Sequence, residues 1–266
     1  MQNLTGLSGV ARHYDGILFD IYGVIHSGEA CFEPALHCLA SLQAAGVPYG
    51  FLSNMPLRAA KVPAALIKRG MPEALAVEAL TSGEMVFRAL SGAGFGKRYY
   101  FQGPERTREI VPEGYESTSL AEADFVLASG IGDSEGPKNY TALLEGALAR
   151  GLPMLCANPD LKVGRGDRLV SCAGLLVDAY ERMGGDARWM GKPHGSVFAM
   201  AGEMLGGKLL MVGDSLRTDI AGAQAAGLDT VFITSGIHKQ DYAAQGAALF
   251  AQYGITPSYT LPRLAW

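Results

Sequence analysis

No stretch of this 266-residue chain is apolar for long enough to span a bilayer, so no membrane partner is expected. An excess of base is missing too. Lys and Arg number 22 against 26 acidic residues, a formal charge of −4. No field therefore favours nucleic acid, and an anionic ligand has to be attracted locally. The opening Met1-Gln2-Asn3-Leu4-Thr5 lacks the basic and apolar blocks of a signal peptide, and a cytoplasmic protein is expected. Cysteine is scarce: Cys31, Cys38, Cys156 and Cys172 show neither metal-ligand pair spacing nor a secretory setting, so reduced, mostly buried thiols are expected. No G-x-x-x-x-G-K-[ST] stretch occurs. The run Gly92-Ala93-Gly94-Phe95-Gly96 departs from G-x-G-x-x-G and lacks a preceding strand, which argues against dinucleotide binding. Internal repeats, low-complexity blocks and charge runs are absent.

What is present is an α/β alternation, with glycine plentiful at 35 residues, as many tight strand-to-helix turns require. The short apolar run Ile17-Leu18-Phe19 stops at Asp20 and meets Gly23, the pattern of a buried parallel strand whose carboxyl end presents an acid. In open α/β sheets, chemistry sits at those ends. A helix is expected over 34–45, opened by Pro34, and a strand over 47–53. Over 56–69 the helix is expected to be interrupted by Pro63. Thr81 or Ser82 caps a further helix, with Glu84 in its first turn. A second series follows, with strands over 99–101, 124–129 and 153–157, a clear helix over 137–150 and another over 173–182. From residue 188 the first series resumes: a helix over 196–205, a strand over 208–212 ahead of Asp214, a helix over 218–226, a strand over 229–234 and a helix over 242–253.

Four stretches in this order bear the candidate chemistry: Asp20-Ile21-Tyr22-Gly23, Leu52-Ser53-Asn54, Gly191-Lys192-Pro193 and the run from Met211 to Asp219, Met-Val-Gly-Asp-Ser-Leu-Arg-Thr-Asp. They resemble the haloacid dehalogenase (HAD) superfamily of aspartate-nucleophile phosphatases, and within it class IIA, the p-nitrophenylphosphatase-like enzymes. The resemblance covers nearly the whole chain. It implies a Rossmann-like parallel-sheet core over 1–80 and 187–266, with an inserted α/β cap over 81–186 that closes over the site and carries specificity. Asn158-Pro159-Asp160 also looks like that class's cap. One position departs: the family motif is Asp-x-Asp-Gly, and Tyr22 stands where the second Asp belongs.

Phosphoryl transfer needs a nucleophile, a cation, and positive groups where charge accumulates. Asp20, ionised at neutral pH, fits as nucleophile by way of an aspartyl phosphate. Asp214 also follows a strand, so both carboxylates can share one Mg²⁺, which takes few protein oxygens and several waters. The resemblance adds the backbone carbonyl of Tyr22 as a ligand and Asp219 as an outer metal-site residue that orients Lys192 or reaches the ion through water. Ser53 and Asn54 are candidates to hold phosphate oxygens through hydroxyl and backbone N–H groups. Lys192, its backbone restricted by Gly191 and Pro193, can neutralise both the aspartate and the phosphate. Lys162 and Arg165 are candidates to meet a substrate's anionic portion from the cap. In Asp-x-Asp-Gly relatives the second Asp protonates the leaving oxygen and then helps water attack the aspartyl phosphate. Tyr22 is a poor substitute, and His26 is the candidate surrogate acid.

These residues make a Mg²⁺-dependent phosphatase of a small phosphorylated metabolite the leading expectation. The alternatives are a low-activity or inactive relative that binds a phosphometabolite or a protein partner, and, ranked lowest, a dehalogenase-like hydrolase. A homodimer through the cap is a further expectation.

Overall fold

The structure, a computed structural model, describes residues 1–92, 94–165 and 168–266, with the Arg165 side chain outside the description. Its centre is the strand Gly16–Phe19, all four residues buried. Leu209–Gly213 lies on one side of it and Tyr49–Ser53 on the other, both parallel to it. Asp229–Ile233, Tyr259–Leu261 and Gln2–Asn3 extend the sheet beyond Leu209–Gly213, and Ala79–Thr81 extends it beyond Tyr49–Ser53. All seven strands are parallel. Such a sheet must be covered on both faces, and the alternation of side chains achieves this. Phe19 and Phe51 pack on one face with Leu39 and Leu42 of the helix Glu33–Ala44. Leu18, Leu52 and Met211 pack on the other with Val197 and Phe198 of the helix Gly195–Leu205. A fully buried Leu or Phe contributes roughly 1.5–3 kcal/mol, so covering both faces stabilises the centre of the sheet.

A second, five-stranded parallel sheet is ordered Ala187–Trp189, Met154–Cys156, Phe125–Ala128, Arg98–Gln102, Glu116–Ser117. Ala187–Trp189 was not expected as a strand, and it carries the second sheet past residue 186, into residues assigned by sequence to the core. An antiparallel hairpin, Lys162–Arg165 with Arg168–Ser171, was also not expected. Thr81 caps the helix Ser82–Ser91, its Oγ1 accepting from the Glu84 amide at 3.0 Å. The helix expected over 242–253 is two short ones, Lys239–Gln245 and Ala248–Ala251, parted at Gly246, whose φ is 56°. No helix among the described residues is long and apolar enough to cross a membrane.

Candidate active site

Asp20 and Asp214 each follow one of two neighbouring strands, so the register Phe19–Val212 sets both at the same sheet end. The Asp20 amide donates to Val212 O at 2.9 Å and ties the two turns together. The Asp214 carboxylate sits close against the backbone of two glycines. Ile237 N–H donates to its Oδ2 at 2.8 Å, and a Cβ on Gly23 or on Gly236 would collide with that oxygen. Gly23 also sits at φ 85°, so both backbone and space require glycine there. Asp219, in the turn of π-helix Leu216–Ile220, accepts at Oδ2 from the amides of Asp214 and Ser215, at 3.1 and 3.0 Å.

Lys192 joins these carboxylates to the neighbouring strand. Its ammonium, 2% exposed, donates to Asp20 Oδ1 at 2.6 Å and to Leu52 O at 2.8 Å. Asp219 Oδ1 lies 2.6 Å from the same nitrogen but off the angle of a hydrogen bond, and it has no hydrogen-bond partner. Asn54 fixes the Lys192 main chain: its Oδ1 accepts from Lys192 N at 2.8 Å and its Nδ2 donates to Lys192 O at 3.0 Å. The other Nδ2 hydrogen goes to Asp160 Oδ1 at 3.0 Å. The Asn54 amide is thus fully committed, and any bond to phosphate from this residue falls to its main chain. Ser53 Oγ, by contrast, makes only a long contact with Met55 N at 3.4 Å.

Tyr22 points its hydroxyl at Ser27 O, 2.6 Å away, and its ring meets His26 edge-on at 5.4 Å. His26 is buried, and its Nδ1 accepts from Gly28 N at 2.9 Å. Burial and the nearby Arg69 charge lower its pKa to about 4, so at neutral pH the ring is uncharged and a weak acid. Lys162 lines the cavity that Asp20, Ser53, Lys192, Asp214 and Asp219 open onto. The Arg165 side chain falls outside the described residues. One participant that the sequence reading left out of the site is Asp160, which follows the strand Met154–Cys156 in the second sheet. The cue that marks Asp20, an acid just past a buried strand, applies there as well.

Residues 17–114 match the family described as haloacid dehalogenase-like hydrolase, and residues 189–265 the one described as HAD-hydrolase-like. A solved hydrolase of the haloacid dehalogenase-like family from Brucella suis is 33% identical, with a TM-score of 0.87 over 98% of this chain and 100% of its own. The chain belongs to the haloacid dehalogenase-like hydrolases. The 5′-nucleotidase YutF of Bacillus subtilis is 28% identical to this hydrolase over 238 residues, 87% of this chain and 91% of its own. A glycerol phosphate phosphatase from Mycobacterium tuberculosis, solved with magnesium, is 25% identical with a TM-score of 0.71 over 94% of this chain and 76% of its own.

The hydrolase's site is crowded with negative charge. Asp20, Asp214 and Asp219 bring carboxylate oxygens within 4.8 Å of one another, and among the described residues the Lys192 ammonium is the cation that pairs with Asp20 and Asp219. Burial, only partly opposed by Lys192, pushes Asp20 up to about 7. Burial, with Asp20 and Asp219, holds Asp214 well above the carboxylate range. Lys192 experiences the opposite balance: burial works against its charge, but Asp20, Asp219 and Asp160 raise its pKa above the usual lysine value. The ammonium is therefore charged, and the carboxylates carry the imbalance. An all-oxygen donor set with surplus negative charge, and an Asp214 held by the Ile237 amide, fits a hard divalent cation.

Proposed function

We propose that this hydrolase is a Mg²⁺-dependent phosphatase of small phosphorylated metabolites, in which Asp20 takes the phosphoryl group. The supporting observation is Asp20 itself, at the end of the central strand, 2.6 Å from a buried ammonium and beside Asp214. Asp20 and Asp214, with the Tyr22 carbonyl, would hold the ion, which when bound screens the nucleophile from the phosphate's charge. A carboxylate oxygen of Asp20 attacks phosphorus as the bond to the leaving oxygen breaks. Water then attacks the aspartyl phosphate, returning the carboxylate and releasing phosphate. Lys192 stabilises charge on Asp20 and the transferred oxygens, Ser53 Oγ binds one of those oxygens, and Asp219 positions Lys192. The second sheet serves as the cap. The test is phosphate release from 4-nitrophenyl phosphate with Mg²⁺; no release above an Asp20→Asn control favours a binding role instead.

Mg²⁺ competes with protons on Asp20 and Asp214, which gives a pH dependence of definite sign. Their folded pKa values are raised, for Asp20 from 3.8 to about 7. The folded, metal-free chain therefore binds more protons than the unfolded chain. This contribution to stability is full below the unfolded value and is lost as pH rises through the folded one. The gain in melting temperature from added Mg²⁺ is expected to grow from near zero at about pH 5 to several degrees at about pH 8. A gain that is flat with pH rules out these carboxylates as the ion's ligands.

Tyr22 sets the leaving-group preference. Its hydroxyl is bound to Ser27 O, and the neighbouring His26 is uncharged, so neither supplies a good proton donor to a leaving alkoxide. General acid catalysis is worth about 10²–10⁴-fold. Benzyl phosphate is expected to turn over slower than 4-nitrophenyl phosphate by a factor in that range. Tyr22→Asp is expected to narrow the gap. Equal wild-type rates with the two esters mean that another acid operates.

A further inference from the structure

The cavity at Asp20 is about 310 Å³, the size for a small metabolite. Besides the carboxylate cluster and Lys192, three more cations line it: Arg69 from the first sheet's side, Arg106 and Lys162 from the second's. Among the described residues none of the three makes an ion pair, in a chain where acids outnumber bases. Arg106 and Lys162 are exposed, and alone each would be an ordinary solvated charge. Arg69 is different. It is half-buried and held by main-chain carbonyls, Nη1 to Ala65 O at 2.7 Å and Nε to Gly28 O at 3.4 Å, and among the described residues its Nη2 has no hydrogen-bond partner. Its charge adds to burial in lowering the His26 pKa, and it partly offsets the burial that raises the Cys31 thiol. The same cavity has an apolar wall that includes Met55, Leu57 and Leu66, and its two lining rings, Tyr22 and His26, meet each other edge-on at 5.4 Å. Two rings packed edge-to-face on each other are not a pair of facing planes between which a nucleobase would stack.

We propose that the substrate carries a second anionic group, carboxylate or phosphate, joined to the transferred phosphate by a short apolar spacer and held by Arg69 with Arg106 and Lys162. A planar guanidinium already oriented by its own backbone contacts suits bidentate recognition of such a group. The inference rests on the phosphatase reading and narrows its substrate to a small molecule with two anionic groups.

The experiment is calorimetric titration of the Mg²⁺-loaded protein with 4-(phosphonomethyl)benzoate and with its neutral carboxamide, neither of which can be hydrolysed. The acid is expected to bind about tenfold or more tightly. Arg69→Met and Arg106→Met are each expected to bring the ratio of the two affinities toward one. Because Arg69 also braces Gly28, the exposed Arg106 provides the variant that leaves the fold alone. A bisphosphonate analogue that outbinds the acid assigns the site to phosphate, and the reverse to carboxylate. Equal binding of acid and amide overturns the inference, as does a preference that survives both substitutions together. If neither phosphonate binds while 4-nitrophenyl phosphate is hydrolysed, the second-anion site falls and the phosphatase stands. With neither binding nor hydrolysis, both fall.

Discussion

Asp20→Asn is expected to lower phosphate release by more than about 10³-fold while raising the melting temperature of the metal-free protein at pH 8. The two effects have one cause. The amide keeps an oxygen for the Lys192 ammonium 2.6 Å away but carries no charge, so it cannot attack phosphorus. It also relieves a cluster in which burial already pushes Asp20 up to about 7 and Asp214 higher than its ordinary value. Paired assays of 4-nitrophenyl phosphate hydrolysis and thermal melts check both halves. Near-wild-type turnover in the variant removes Asp20 as nucleophile.

Lys192→Met is expected to destabilise the protein by about 3–5 kcal/mol near neutral pH, because it strands buried carboxylates without their cation. It also leaves Leu52 O without the donor that now lies 2.8 Å away. The loss is expected to shrink at pH 5, where Asp20 and Asp214 take up protons in the folded state. Denaturant unfolding at the two pH values measures it. A loss under about 1 kcal/mol at pH 8 means the ammonium is not what holds this site together.

The parts of this molecule that the sequence makes legible share a physical character. Gly16–Phe19 and Leu209–Gly213 are covered on both faces, so their apolar runs are unbroken and their ends are sharp. Asp20 and Asp214 stand at those ends and were found by that rule, and the match to known motifs added Lys192 and Asp219. Ala187–Trp189 was missed because a three-residue strand with Arg188 in its middle has no periodicity to detect; it takes its place by pairing with Met154–Cys156. The hairpin at Lys162–Arg165 and Arg168–Ser171 carries charge in both arms and looks like a loop. The use of the Asn54 amide was out of reach for a different reason. Its partners, Lys192 and Asp160, lie 138 and 106 residues away, and residue type alone does not say where an amide spends its hydrogens.

The order of strands in the first sheet also bears on how the chain is made. Gly16–Phe19 leaves the ribosome well before one of its two neighbours, Leu209–Gly213, some 190 residues later. The five-stranded sheet uses only residues between Arg98 and Trp189, so every strand it needs exists while the first sheet still has a gap beside its middle strand. Closing that gap is a long-range step, slow by the ordinary dependence of folding on sequence separation. During synthesis the hydrophobic edge of Gly16–Phe19 is therefore open to pairing with other chains until that step is complete.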